Sequence, residues 1–169
     1  DFIIGGTPRA GTTWLYCALD RHPEIFMAKP FEPEPKFFLV DETYKRGIEY
    51  YSRTWFTGAE TGKCAGEKST NYLESVKAAE RIKTHIPGVK MIFILRNPVD
   101  RAFSNYLWSK QNQMETEGFE TALAMENKRE KEISDKLRFA RPHAYFSRGL
   151  YAEALQPYFR LFPKENILC

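Results

Sequence analysis

The sequence has little cysteine and little excess charge. Its three cysteines, Cys17, Cys64 and Cys169, are widely spaced among 169 residues, and this spacing fits neither a zinc site nor a disulfide framework. They are expected to be buried or free thiols in a reducing compartment. The formal charge of +3 comes from 25 basic and 22 acidic residues that are scattered along the chain, whereas nucleic-acid binding requires a clustered basic stripe. Nucleic acid is therefore not an expected partner.

Long apolar runs are also missing. No stretch approaches the roughly 18 apolar residues of a membrane-spanning helix, and no signal-peptide pattern is present. No membrane segment is therefore expected within this window. The chain starts on an apolar run without Met and stops at residues 167–169 in what looks like the beginning of a strand. We expect residues 1–169 to form a single domain that is truncated at its C-terminal end.

Apolar runs alternate with amphipathic stretches along the chain. The pattern predicts strands at 2–6, 63–69 and 89–95, and helices at 12–21, 43–55, 76–85, 98–112 and 149–162, with Pro157 kinking or splitting the last helix. A solvent-facing helix and loop are predicted over 117–136. This alternation indicates an α/β fold, a P-loop-like open and mainly parallel sheet with helices on both faces. Ligands bind such sheets beyond the carboxyl ends of the strands, so the loops 7–13, 68–72 and 96–104 should face one crevice.

The first of these loops departs from a Walker A sequence at one position. Residues 6–13 read Gly-Thr-Pro-Arg-Ala-Gly-Thr-Thr, and Thr12 stands where G-x-x-x-x-G-K-[ST] requires lysine. A strand, a tight loop and a helix start still form a cradle for phosphate. Arg9 adds a permanent cation, and Thr12 and Thr13 add hydroxyl donors. A purely structural turn is the alternative interpretation.

A second candidate anion site follows the predicted strand 89–95. Arg96 stands at the end of this strand, and Ser104 lies two turns into the next predicted helix. Both side chains suit a second phosphate group. Alternatively, Arg96 is a capping or ion-pair residue and Ser104 is a serine on the helix surface.

Together the two segments resemble the sulfotransferases that use 3′-phosphoadenosine 5′-phosphosulfate. The resemblance rests on G-T-P-R-A-G-T-T-W at residues 6–14 and on R-N-P-V-D-R-A-F-S-N-Y at residues 96–106. It extends over nearly the whole chain. Three further elements are similar to the carbohydrate (heparan-sulfate type) branch and its bacterial relatives: E-P-K-F-F at 34–38, E-K-S-T-N-Y at 67–72, and G-L-Y at 149–151 followed by L-F-P at 161–163.

The resemblance implies a sulfotransferase and a donor-binding set. The 5′-phosphosulfate would lie on the first loop, at Arg9, Ala10, Gly11, Thr12 and Thr13. Trp14 would stack on adenine, although the sequence equally allows a core position. Arg96 and Ser104 would hold the 3′-phosphate. No metal would be required, because a sulfuryl group carries less charge than a phosphoryl group.

The resemblance also implies catalytic roles. Glu34 would be the general base toward a hydroxyl or amine of a small-molecule or oligosaccharide acceptor, with Glu32 as its rival. Lys68 would neutralise charge between the acceptor and the sulfuryl group. Arg9 stands where the family usually has lysine, and it would stabilise the leaving phosphate without acting as a proton donor. The compartment stays open between the cytoplasm of a bacterium and the Golgi lumen of a eukaryote.

Two other functions are compatible with the sequence, and one motif is misleading. A P-loop small-molecule kinase would require Mg²⁺ and bind ATP tightly, which the missing Walker lysine disfavours. A non-catalytic nucleotide-binding module is the other alternative. The segment Lys-Thr-His-Ile-Pro at 83–87 is similar to the one that carries the catalytic histidine of cytosolic sulfotransferases. His85 lies too close to Arg96 for that role, and we expect it to end a helix.

Overall fold

A parallel sheet of five strands organises the chain. A computed structural model describes the backbone of residues 1–169 and every side chain except that of residue 136. The strands, in the order β2-β3-β1-β4-β5, are β1 (Phe2–Gly6), β2 (Ile25–Met27), β3 (Cys64–Lys68), β4 (Lys90–Phe93) and β5 (Ile167–Leu168). Because all four strand pairs are parallel, their carboxyl ends lie on one edge of the sheet, as the sequence predicts.

The helices occupy the connections between these strands. They are α1 (Thr12–Asp20), α2 (Asp41–Tyr44), α3 (Ile48–Trp55), α4 (Val76–His85), α5 (Pro98–Gln111), α6 (Phe119–Ala124), α7 (Glu126–Lys131) and α8 (Tyr151–Leu161). Short 3₁₀ helices lie at Tyr72–Glu74, Asp135–Leu137, Ser147–Gly149 and Lys164–Asn166. In the part of the chain that the structure describes, no helix combines the length and apolarity needed to cross a membrane.

The chain divides into two compact units. The first contains residues 1–95 and 152–169, and the second contains residues 96–151. The whole sheet belongs to the first unit, together with α1 to α4 and most of α8.

Helices cover both faces of the sheet in the first unit. Successive residues of a strand point to opposite faces. On one face, Phe2 and Ile4 of β1 pack against Tyr16 of α1. On the other, the Phe93 ring of β4 lies 4.7 Å from the Tyr158 ring of α8. The predicted α/β fold is therefore confirmed.

The second unit is built around α5. Ala102 and Tyr106 of this helix pack with Ala122 and Tyr145 in a small apolar core. Arg101 is fully buried, and its guanidinium donates to the carbonyl oxygen of Tyr145. A buried cation thus ties α5 to the segment that precedes α8.

One local prediction is wrong, and one of two alternatives in another is excluded. The predicted helix 43–55 is two helices, because Gly47 adopts a φ of 84° that an L side chain rarely accepts. Pro157 does not split the last helix, since α8 continues through it. The buried residues Leu155 and Tyr158 lie on either side of this proline, and their packing offsets the lost backbone hydrogen bond.

Candidate active site

The loop between β1 and α1 presents backbone amides at the carboxyl edge of the sheet. The Thr7 amide donates to the Ile94 carbonyl at 3.1 Å and fixes the loop to the chain beyond β4. Gly11, at the N-cap of α1, has a φ of 99°. The first helical hydrogen bond runs from the Leu15 amide to the Gly11 carbonyl at 3.1 Å, so the amides of residues 12–14 precede it and point out of the helix end.

The electrostatics of this helix end suit an anion. Gly11 has no side chain that could cap the amides, and the first turn of α1 contains no acidic residue. Arg9 is exposed beside them, with a φ of 68°. The positive end of the helix dipole adds to the guanidinium charge. The loop therefore has the features of the predicted phosphate cradle.

Trp14 lies on the surface at this helix end. Its side chain is 75% exposed, which removes the interpretation that it belongs to the core. A cleft of about 800 Å³ lies beside it, and Leu15, Leu95 and Leu168 also line this cleft. An aromatic ring beside an apolar cleft is a suitable surface for a flat heterocycle.

A carboxylate and an ammonium group pair at the end of β3. The Lys68 Nζ atom lies 3.0 Å from Glu34 Oε1, and the side chains are only 3% and 13% exposed. Lys68 Nζ also donates to Thr13 Oγ1 at 3.5 Å. The lysine thus contacts both the proposed base and the first turn of α1, so three residues that the sequence singled out separately lie together.

The sheet register explains why Lys68 lies beside this loop. Lys68 is opposite Ile4 in the parallel pairing of β1 with β3. The Ser69 amide donates to the Ile4 carbonyl at 3.0 Å, so β3 ends level with the start of the loop. Phe31 closes the other side of the lysine, with its ring centre 4.4 Å from Nζ.

Two more side chains hold the Glu34 carboxylate. Thr70 donates to it twice, from its amide to Oε2 at 3.2 Å and from its hydroxyl group at 3.1 Å. Lys36 Nζ is 3.9 Å from Oε2. Sequence reasoning did not single out these two residues. Thr70 is the T of the E-K-S-T-N-Y element, and its place in that element was the signal that could have identified it.

Glu67 lies beneath the pair and is completely buried. It accepts hydrogen bonds from the Tyr51 and Tyr72 hydroxyl groups at 3.0 Å each and from Ser69 Oγ at 2.7 Å. Burial raises the pKa of Glu67 to about 7, and the Glu34 charge adds to this rise, although the three hydrogen bonds oppose it. Burial, with the Glu67 charge, also raises the pKa of both tyrosines, so they remain protonated donors.

Glu32 and His85, the other residues considered for a catalytic role, have different surroundings from those of Glu34. Glu32 is exposed, whereas Glu34 is held by Lys68 and Thr70. His85 is the last residue of α4 and lies 3.0 Å from the Tyr44 hydroxyl group. Because α4 leads into the start of β4, His85 is at the amino edge of the sheet, away from the end of β3. The prediction that it ends a helix is confirmed.

In the second unit, Arg96 and Ser104 are both on the N-terminal half of the α5 segment. Asn97 Oδ1 caps α5 by accepting from the Val99 amide at 3.0 Å. Arg96, just before this cap, is exposed, and Ser104 on the helix is partly buried. The Tyr151 hydroxyl group donates to the Arg96 carbonyl at 2.8 Å and holds the backbone beneath the guanidinium group.

Fold and site together define an α/β protein with a loop whose helix end suits an anion and a carboxylate–ammonium pair beside it. The family model described as "Sulfotransferase domain" matches residues 1–169. The chain belongs to the sulfotransferase domain family, and the resemblance found in the sequence is confirmed.

Individual relatives place the chain more closely within this family. It is 31% identical to heparan sulfate glucosamine 3-O-sulfotransferase 6 of Homo sapiens over 166 residues, 98% of this chain and 44% of the relative. It is 35% identical to bifunctional heparan sulfate N-deacetylase/N-sulfotransferase 4 of Mus musculus over 115 residues, 66% of this chain and 13% of the relative. The chain thus spans less than half the length of either curated relative.

A solved structure matches the fold. The crystal structure of a sulfotransferase from Alicyclobacillus acidocaldarius superposes with a TM-score of 0.84 at 30% identity, covering 98% of this chain and 70% of that chain. The chain therefore shares the fold of a solved sulfotransferase.

Proposed function

We propose that this chain transfers a sulfuryl group from 3′-phosphoadenosine 5′-phosphosulfate to a hydroxyl or amine of a carbohydrate acceptor. The observation that carries the proposal is the pairing of Glu34 with Lys68 at 3.0 Å, with Lys68 extended to Thr13. A base and a cation then lie beside the helix end that would hold the donor.

The residues of the first loop fit the donor. The loop offers uncapped amides at the start of α1 and the exposed Arg9 cation, while Thr12 replaces the lysine that a nucleoside triphosphate requires. Arg9 to Thr13 would hold the 5′-phosphosulfate, and Trp14 would stack on adenine beside its cleft. Arg96 and Ser104 would hold the 3′-phosphate. The donor would supply the sulfuryl group, whose sulfur–oxygen bond to the 5′-phosphate breaks as the acceptor attacks.

Glu34 would take the proton of the attacking group. Its carboxylate accepts from Lys68 and Thr70, which fixes its orientation, and each carboxylate oxygen has two lone-pair sites. A side chain that is 13% exposed remains within reach of an acceptor. Positioned proton transfer of this kind contributes roughly 10²–10⁴-fold to a rate.

Lys68 and Arg9 would stabilise charge on either side of the transferred group. The Lys68 ammonium is shielded from water by Phe31, which strengthens its interaction with a developing negative charge. Arg9 remains charged at all working pH values, so it would stabilise the departing phosphate oxygen by charge alone. This arrangement would require no metal ion.

The carbohydrate acceptor is supported by the relatives. Two of them are named for heparan sulfate, one as a 3-O-sulfotransferase and one as an N-deacetylase/N-sulfotransferase. Both oxygen and nitrogen acceptors therefore belong in the test.

The test compares two glutamates of the same loop in the full chain. Transfer of labelled sulfate from the donor would be measured on de-N-sulfated and N-sulfated heparan oligosaccharides, for the wild type, Glu34→Gln and Glu32→Gln. We expect Glu34→Gln to lower kcat by about 10³-fold because the base is lost. Glu32→Gln should stay within about twofold, as for other exposed substitutions.

Three outcomes would contradict the proposal. Equal losses in the two variants would remove Glu34 as the base. A loss confined to Glu32→Gln would transfer that role to Glu32. Donor binding by the wild type without transfer to either oligosaccharide would favour a non-catalytic nucleotide-binding module.

A further inference from the structure

We propose that Glu67 is a positioning residue, which holds the loop of Glu34 against Lys68 through two hydrogen-bonded relays. This inference rests on the proposed function, because it concerns the geometry of the proposed base. The relays start at the two oxygens of one buried carboxyl group and end on the backbone of residues 36–38.

The first relay passes through Ser69. Its hydroxyl group donates to Glu67 Oε2 at 2.7 Å and accepts from the Lys36 amide at 2.9 Å. Lys36 is two residues beyond Glu34, with the buried Pro35 between them. The Ser69 hydroxyl group therefore fixes the backbone close to the base.

The second relay passes through Tyr72. Its hydroxyl group donates to Glu67 Oε1 at 3.0 Å and accepts from the Phe38 amide at 3.3 Å. Two alternate amides of the segment after Glu34 are thus held by two hydroxyl groups, and both hydroxyl groups are oriented by Glu67.

Strand geometry links this carboxyl group to the catalytic pair. Glu67 and Lys68 are consecutive residues of β3, so their side chains point to opposite faces. Glu67 faces the aromatic cluster that contains Tyr51 and Tyr72, while Lys68 faces Phe31 and the first turn of α1. One short strand segment therefore fixes the cation directly and the base through the relays.

The chemistry of Glu67 favours a positioning role over simple packing. Its three hydrogen-bond partners are neutral hydroxyl groups, and a carboxyl group without a cationic partner is costly to bury. Three hydroxyl groups converge on its two oxygens, so both oxygens are fixed by hydrogen bonds. The arrangement gives Ser69 and Tyr72 a fixed orientation in which each presents a lone pair to a backbone amide.

Tyr72→Phe and Tyr51→Phe form a matched pair for the test. Each removes one hydroxyl group that donates to Glu67 at 3.0 Å and keeps the ring, but only Tyr72 also accepts from a loop amide. We expect Tyr72→Phe to lower kcat about tenfold, since a displacement near 1 Å can cost about 10²-fold. The KM for the donor should stay nearly constant, and Tyr51→Phe should have a clearly smaller effect on kcat.

Ser69 and Glu67 provide the complementary variants. Ser69→Ala should lower kcat to a similar extent as Tyr72→Phe, and Ser69→Thr, which keeps the hydroxyl group, should restore most of it. Glu67→Gln should lower kcat more than either relay variant, because it disturbs both relays at once.

Amide hydrogen exchange gives a readout that does not depend on turnover. Exchange at Phe38 should accelerate in Tyr72→Phe, exchange at Lys36 should accelerate in Ser69→Ala, and neither should change in Tyr51→Phe. Equal kcat losses in the two tyrosine variants, or unchanged exchange at both amides, would overturn the inference. If the wild type transfers no sulfate, the proposed function is contradicted instead. The relays would then have no catalytic purpose, even if the amides exchange as expected.

Discussion

Each unit of the molecule contains a buried glutamate that accepts hydrogen bonds from tyrosine. In the first unit, Glu67 accepts from Tyr51 and Tyr72. In the second unit, Glu115 accepts from the Tyr145 hydroxyl group at 2.7 Å and is also paired with Arg129. The main chemical difference is that Glu115 pairs with the Arg129 cation, whereas Glu67 accepts from neutral hydroxyl groups.

The pKa values of the two glutamates shift in opposite directions. Burial raises the pKa of Glu67 to about 7. Burial also acts to raise the pKa of Glu115, but hydrogen bonds from Tyr145 and the Glu117 amide, together with Arg129, outweigh it and lower the pKa. Burial alone therefore does not determine the charge of such a group, since the partners decide the direction.

The two networks also end in different places. Glu115 accepts from the amides of Thr116 and Glu117 at 2.9 Å each, so its network ends on its own loop, on Tyr145 and on Arg129 of α7. The Glu67 network ends on the segment that follows Glu34. The first pattern is that of a structural anchor, whereas the second supports the segment that carries the proposed base.

The largest expected effect on stability is that of Glu115→Gln. Removing one partner of a buried ion pair typically costs about 3 kcal/mol or more in the free energy of unfolding. Urea unfolding at neutral pH measures this loss. Glu120→Gln, an exposed change on α6, is the control and should lie within about 0.5 kcal/mol of the wild type. A similar free energy of unfolding in both variants would mean that Glu115 stabilises the fold no more than the exposed Glu120 does. It would contradict the role of Glu115 as a structural anchor.

A smaller effect concerns the pH dependence of stability. The pKa of Glu67 is raised from 4.5 to about 7 on folding, so the folded state binds the proton more tightly. Its stabilising contribution is complete below pH 4.5 and is lost as the pH rises through 7. Between pH 5.5 and 7.5 the wild type should lose about 2 kcal/mol more than Glu67→Gln.

Glu115 should behave in the opposite manner. Its pKa is lowered on folding, so its contribution is present above the unfolded-state pKa and is lost as the pH falls. The free energy of unfolding, measured at several pH values, should depend less on pH in the acidic range for Glu115→Gln. For Glu67→Gln it should depend less on pH in the neutral range. Parallel curves for the two variants would contradict the assigned charge states.

Much of the fold and part of the candidate site could be predicted from local sequence. The bounds of β1 and α4 follow from apolar periodicity and from Pro87-Gly88 after the helix. Glu34 and Lys68 were singled out through short motifs, and the structure brings them to 3.0 Å from each other. Their catalytic roles stay predictions.

The supporting contacts could not be predicted in the same way. Thr70 contacts Glu34 across 36 positions of sequence, and Ser69 contacts the Lys36 amide across 33. Such contacts depend on how the segment after β2 returns across the end of β3, with which β2 is paired, and no periodic pattern encodes that path. The short strand β2 was missed for a related reason, because its three residues are too few to show alternation.

The proposed donor is one nucleotide with phosphate groups at two positions. The direct measurement is the shift in Tm with adenosine 3′,5′-bisphosphate in EDTA and with Mg-ATP, for the wild type and Arg96→Ala. At a bisphosphate concentration about 100 times Kd, the wild type should gain about 5 °C or more. Mg-ATP should give a smaller gain, and Arg96→Ala should lose most of the bisphosphate shift. A larger gain with Mg-ATP, or an undiminished bisphosphate shift in Arg96→Ala, would contradict the account.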